Sequence, residues 1–223
     1  MTATGSVPAG TRVGRYEIVS LLGRGGMGEV YTALDSNLDR HVALKILPSN
    51  RTSDPERVAR FVREAQASSA LNHPAIVHIY DLVEAPAGDW IVMEMVEGRT
   101  LRSLSREKGP LPFAQAVRLG LDISEGLAEA HVHGVLHRDL KTSNVMVTPA
   151  GRAKILDFGL AKQLRGEGGE DQDVSLTVPG MILGTSYAMS PEQVLGSPLD
   201  HRSDLFSLGS LLYEILTGEP PFQ

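Results

Sequence analysis

With 223 residues, 42% of them hydrophobic and 22% charged, the chain has globular composition and enough length for one large domain or two small lobes. A formal net charge of −6 argues against general nucleic-acid binding, which needs a basic surface to neutralise phosphates. The absence of cysteine excludes a disulfide framework and thiolate chemistry and fits a cytoplasmic setting, and no run of about 18 apolar residues offers a membrane-spanning segment.

Residues 1–14 are rich in Thr, Gly and Pro and read as a flexible leader. From Arg15 to about Leu47 the pattern predicts three strands. Two of them, around Tyr16–Val19 and Glu29–Thr32, flank the glycines of Leu22-Gly23-Arg24-Gly25-Gly26-Met27-Gly28-Glu29-Val30. A dinucleotide-binding loop must open a helix, and a Walker A loop needs Lys-Ser/Thr after its glycines; neither condition is met. A strand-glycine-strand arrangement instead makes a flap whose backbone can approach phosphates without side-chain obstruction. Asp54-Pro55-Glu56 supplies an N-cap, a proline at the first helical position and an early acid, so a helix is expected to about Leu71, stopped by Asn72-His73-Pro74. Ile76 to Val83 and Trp90 to Met95 are apolar enough for two more strands. Glu97-Gly98-Arg99 reads as a hinge, and beyond it the chain turns helical. Phe113 to His133 carries Val117, Leu121, Ile123, Leu127 and Ala128 at helical spacing.

The stretch His137-Arg138-Asp139-Leu140-Lys141-Thr142-Ser143-Asn144 is followed thirteen residues after its Asn by Asp157-Phe158-Gly159. Between them, Val145–Thr148 and Ala153–Leu156 read as strands joined by a Pro149-Ala150-Gly151-Arg152 turn. A turn centred between Ala150 and Gly151 sets Asn144 opposite Asp157, and cross-strand neighbours lie roughly 5 Å apart. An amide oxygen and a carboxylate at that spacing can share Mg2+. The segment from Arg165 to Asp173 is biased towards Gly and acids. A final helix from about Arg202 to Thr217 has apolar residues on nearly every side, so it needs cover all round, and the preceding chain can cover only part of it.

These motifs together resemble the eukaryotic-type (Hanks-type) serine/threonine protein kinase family, in a bacterial-like form, over about Arg15 to Phe222. The glycine loop matches G-x-G-x-x-G-x-V, Val42-Ala43-Leu44-Lys45 matches V-A-x-K, and the catalytic loop and Asp-Phe-Gly follow in order. The resemblance implies an α+β, bilobal fold. Its N-lobe, about 15–96, is a small antiparallel sheet with one main helix; its C-lobe, about 97–223, is mostly helical and lacks the last helices that normally follow a turn like Pro220-Pro221-Phe222. The chain thus reads as an incomplete domain, with the acid Glu192 expected to lack its tie.

The resemblance further implies ATP and Mg2+ as cofactors and protein Ser/Thr as substrates, with a dimer for autophosphorylation in signalling. Asp139 would orient and deprotonate the hydroxyl, Lys45 and Lys141 would balance phosphate charge, Glu64 would pair with Lys45, and Asn144 and Asp157 would hold the metal. Leu22, Gly23, Gly25, Gly28, Val30, Ala43, Met93, Glu94, Met95 and Met146 would line the nucleotide site. Arg138, Ser175, Thr177 and Thr185 would serve regulation of the activation segment, which closes on Ser190-Pro191-Glu192. The alternatives are a pseudokinase-like scaffold, an inactive fragment, or a small-molecule phosphotransferase of similar fold. The first usually loses a lysine or aspartate that is present here; the last usually lacks the Pro-Glu closure and an anchor like Asp204.

Overall fold

The computed structural model describes residues 6–25, 28–46, 65–85, 88–158 and 189–222. The chain divides into two compact units, residues 1–72 with 77–95 and residues 73–76 with 96–223. Most of the predicted helix before Leu71 lies outside the described residues; its last turn, 65–69, is helical.

The first unit is an antiparallel sheet of six strands in the order β1-β2-β3-β4-β6-β5. They are β1 (Arg12–Val13), β2 (Tyr16–Gly25), β3 (Gly28–Asp35), β4 (Arg40–Ile46), β5 (Ile79–Ala85) and β6 (Gly88–Glu94). Strand side chains alternate between faces. One face buries Tyr31, Ala33, Val42, Leu44, Trp90 and Val92 in a core with Tyr16 and Ile18. The expected leader contributes to this layer. Val13 on β1 is buried, Val7 packs against the same core, and the Val7 N–H donates to the Tyr31 hydroxyl at 2.8 Å. Apolar valines and a free strand edge draw this segment in, which a count of Thr, Gly and Pro does not register.

The second unit contains a small sheet, β7 (Arg99–Thr100), β8 (Val145–Val147) and β9 (Ala153–Ile155), in that order. Its helices are α1 (Leu101–Lys108), α2 (Phe113–Val132), α3 (Pro191–Val194) and α4 (His201–Thr217). α1 is capped by the Thr100 hydroxyl accepting from Ser103 N–H, and it buries Leu101 and Leu104. α2 buries Ala116, Leu119, Ile123, Leu127 and Ala130, while Val117 and Leu121 of the expected stripe face solvent. Strand β5 starts at Ile79 instead of Ile76, because residues 73–76 belong to this second unit. There Ala75 C=O accepts from Ile155 N–H at 2.7 Å and Ile76 bridges to Ile155.

The rest of the described chain covers α4 only in part, as expected. Leu208, Leu211 and Ile215 are buried, but Leu205 is 51% exposed and Tyr213 and Leu216 are also open. Its inner face includes Ser203, Asp204, Ser207 and Ser210, small or polar residues that a hydrophobicity pattern assigns outward. The helix starts at the Asp200 cap, whose carboxyl is held down to about 2 by hydrogen bonds from the Arg202 side chain and then from its backbone N–H.

Candidate active site

The hairpin β8–β9 carries one part of the site, and its register differs by one residue from the expected one. Val145 pairs with Ile155 and Val147 with Ala153, and Leu156 N–H donates to Asn144 C=O at 2.8 Å. Asn144 therefore faces Leu156, and Asp157 is the first residue beyond. The cause is the turn. Thr148 and Arg152 close a three-residue loop with Gly151 at φ 72°, the left-handed residue that such a loop requires. Asp157 itself has φ 56°.

Three catalytic-loop side chains meet at one carboxylate. Asp139 Oδ2 accepts from Lys141 Nζ at 2.8 Å and from Asn144 Nδ2 at 3.1 Å. The same Asn144 amide also donates to the Asp139 backbone C=O at 2.9 Å, so one side chain holds both the carboxylate and the main chain of Asp139. A single 3-10 turn, Thr142–Asn144, makes this closure. Buried Thr142 donates to Glu214 Oε1 on α4 at 3.0 Å.

At the other end of the loop α4 supplies Asp204. Its Oδ2 accepts from His137 N–H at 2.9 Å and from His131 Nε2 at 2.8 Å, and its Oδ1 accepts from Arg138 N–H at 2.8 Å. His137 is not placed as a base. Its Nδ1 accepts from Asp139 N–H at 3.2 Å, so the ring proton is on Nε2, which donates to Leu156 C=O at 2.9 Å. The ring packs on Phe158 with centroids 4.9 Å apart.

Two side chains outside the expected site reach the loop or its hairpin. Gln193 Nε2 donates to Arg138 C=O at 2.8 Å, and Asp122 of α2 grips the start of β9. Asp122 accepts from Arg152 Nε and Nη2 at 2.6–3.0 Å and from Ala153 N–H at 2.9 Å. Burial raises the Asp122 carboxyl, but hydrogen bonds from Arg152 and then Ala153 outweigh it and hold it below the usual carboxylate range. The S-x-x-Q spacing of Ser190 and Gln193 is a legible helix start, but its reach to Arg138 is not. Glu192 accepts from Ser203 Oγ, the main cause of its lowered pKa.

In the first unit Val30, Ala43, Lys45 and Met93 share one sheet face, opposite the core. Gly23 pairs with Val30, Val30 with Lys45, and Ala43 with Met93. Lys45 is only 4% exposed. Leu22 sits at the bulge between the Leu21 and Gly23 pairs and is exposed, while Gly25 pairs with Gly28 at the end of the flap. Glu94 N–H donates to His78 C=O at 2.8 Å, and Met95 follows directly. Met146 on β8 pairs with Thr100 and Lys154 in the second unit. Glu64, Ser175, Thr177 and Thr185 lie outside the described residues.

A glycine flap, a buried strand lysine and a loop in which Lys and Asn converge on one Asp define a protein kinase fold, with an antiparallel-sheet N-lobe and a helical C-lobe. The chain belongs to the protein kinase domain family, whose model it matches over residues 16–223. It is 44% identical over 212 residues to serine/threonine-protein kinase PknB of Mycobacterium leprae, covering 93% of this chain and 33% of that protein. The PknB of Mycolicibacterium smegmatis is 46% identical with the same coverage, and a probable serine/threonine-protein kinase of Streptomyces coelicolor is 44% identical over 94% of this chain and 31% of its own length. The chain thus spans about a third of the length of the curated relatives it matches. Among solved structures, the kinase domain of PknI from Mycobacterium tuberculosis superposes with a TM-score of 0.78 at 29% identity, over 98% of this chain and 78% of that one. Among the described residues no helix is long and apolar enough to cross a membrane.

Proposed function

We propose that this domain transfers the γ-phosphoryl group of Mg-ATP to Ser and Thr hydroxyls of cytoplasmic proteins, in signalling, and that paired copies phosphorylate one another. The convergence of Lys141 and Asn144 on one oxygen of Asp139 carries the reading. Those donors fix the carboxylate and engage Oδ2, so Oδ1 is assigned to accept the substrate hydroxyl proton. General-base action of this kind contributes about 10²–10⁴-fold. Lys141, already beside that carboxylate, balances charge on the phosphoryl group as it transfers.

The donor set suits Mg2+. Asn144 is buried with its Nδ2 pinned to Asp139, so its amide oxygen is oriented, and Asp157 adds a carboxylate from the end of the same hairpin. Hard oxygens in this small number are what Mg2+ takes from protein. Bound there, the ion would neutralise phosphate charge. In the first unit, Gly23, Gly25 and Gly28 cover phosphates with backbone, assisted by Leu22 and Val30. Lys45, held by Glu64, pairs with the phosphates; Ala43 and Met93 pack on the base, and the backbone of Glu94 and Met95 bonds it. Ser175 or Thr177 is assigned as the autophosphorylated hydroxyl that engages Arg138, and Thr185 as the group favouring Ser/Thr acceptors. The proposed boundaries are 15–96 for the N-lobe and 97–223 for the C-lobe, with 1–14 preceding them.

Transfer from labelled ATP to a generic basic protein, followed by phosphosite mapping, tests the reading. Asp139→Asn should lower kcat by about 10²–10⁴-fold with nucleotide affinity nearly unchanged. Asp157→Ala should in addition weaken Mg-dependent nucleotide binding. Turnover retained by Asp139→Asn would remove the mechanism.

A further inference from the structure

Arg138 holds a left-handed backbone, φ 64°, which is unfavourable for a non-glycine residue and persists only where its surroundings enforce it. The peptide planes on both sides of it are held by side chains. On the N-terminal side, the Arg138 N–H donates to Asp204. On the C-terminal side, the peptide joining Arg138 to Asp139 has its N–H bonded to His137 Nδ1 at 3.2 Å and its C=O bonded to Gln193 Nε2 at 2.8 Å. That second plane carries the Cα from which the Asp139 carboxylate projects.

Gln193 stands at the end of the segment that begins at Asp157, in α3, where it closes a reciprocal cap. Its Oε1 accepts from Ser190 N–H at 3.1 Å, while Ser190 Oγ accepts from Gln193 N–H at 3.4 Å. One amide side chain thus splits its functions: the oxygen caps α3, and the NH2 holds the catalytic loop. A glutamate would cap equally well, since a carboxylate accepts the same N–H. It has no proton to offer a carbonyl. Capping alone does not require an amide; the bond to Arg138 does.

We infer that Gln193 is a positioning residue, which links the end of the 157–192 segment to the Arg138–Asp139 peptide and so sets the direction of the Asp139 carboxylate. The inference rests on the kinase reading above. Two reciprocal substitutions in the full chain separate it from a capping role. Gln193→Glu keeps the acceptor for Ser190 and loses the donor for Arg138; Gln193→Lys keeps a donor and loses the acceptor. Positioning predicts that Gln193→Glu lowers kcat by roughly tenfold to a hundredfold, the latter being what a displacement of about 1 Å costs. Its KM for ATP and melting temperature should stay near wild type, and Gln193→Lys should retain more kcat than Gln193→Glu. Amide exchange in His137–Thr142 should quicken in Gln193→Glu, a readout that needs no turnover. An inactive wild-type chain with quickened exchange would leave this link standing and sink the kinase reading. Wild-type kcat and exchange in Gln193→Glu, the reverse order of the two variants, or a Gln193→Glu melting temperature far below wild type would each overturn the positioning role.

Discussion

Asp122 is a buried carboxylate that holds the start of β9. It takes Ala153 N–H, which points away from β8 at the sheet edge, and the Arg152 guanidinium beside it. The two partners are unequal. Ala153 is buried, whereas the Arg152 side chain is 58% exposed and can return to water. Asp122→Ala should therefore cost about 2 kcal/mol, chiefly from the stranded N–H, and Arg152→Ala should cost less. The lowered Asp122 pKa gives a pH signature of fixed sign. Its stabilisation is fully present above the unfolded carboxyl pKa of about 3.9 and is lost as pH falls through the depressed folded value. Urea denaturation should find the wild-type advantage over Asp122→Asn constant from about pH 5 to about pH 7 and shrinking below about pH 4. An advantage that grew on acidification would contradict the assignment.

At the scale of elements, the catalytic loop hangs between two points of α4. Asp204 in its first turn takes His137 and Arg138, and Glu214 in its last takes Thr142. Ten residues of helix separate the two carboxylates, about 15 Å at 1.5 Å per residue, so α4 sets the span of the loop. The small sheet has its own constraint. Gly98 has φ 139°, and a Cβ there would lie 2.2 Å from the Val147 carbonyl oxygen. No side chain fits without opening β7 from β8. Gly98→Ala should destabilise by about 3 kcal/mol from clash and backbone strain together. Thermal melting reads the loss, and amide exchange at Met146 and Val147 should accelerate with it; an unchanged melting temperature would mean that β7 is dispensable.

For the whole molecule, the notable surface is an apolar recess lined by Met189, Pro191, Val194, Leu195, Phe206 and Phe222. Phe206 and Phe222 stack there with ring centroids 5.8 Å apart, and Leu195 is 77% exposed. A contiguous patch of this kind favours association, and the net charge of −6 opposes it only weakly at physiological salt. Leu195→Glu should reduce concentration-dependent light scattering and dye binding while changing stability by no more than about 0.5 kcal/mol, as expected of an exposed position. Scattering that persisted unchanged in this variant would place the sticky surface elsewhere.

The sequence by itself determined what depends on local pattern. Alternating apolar residues gave the strands from Tyr16 to Ile46, helical spacing gave Phe113–Val132 and His201–Thr217 to within a residue at their ends, and fixed spacing gave the loop from His137 to Asn144. Tertiary structure decided what depends on long-range partners. The hairpin register follows from a left-handed Gly151, where a slip of one residue moves Asp157 past Asn144. Residues 73–76 join the second unit because Ile155 N–H needs the Ala75 carbonyl. The polar inner face of α4 exists because Asp204 satisfies backbone groups 66 and 67 residues away, and Gln193 reaches Arg138 across 55. Hydrophobic periodicity records which side of an element meets oil, but not which distant N–H or C=O a buried polar side chain must satisfy.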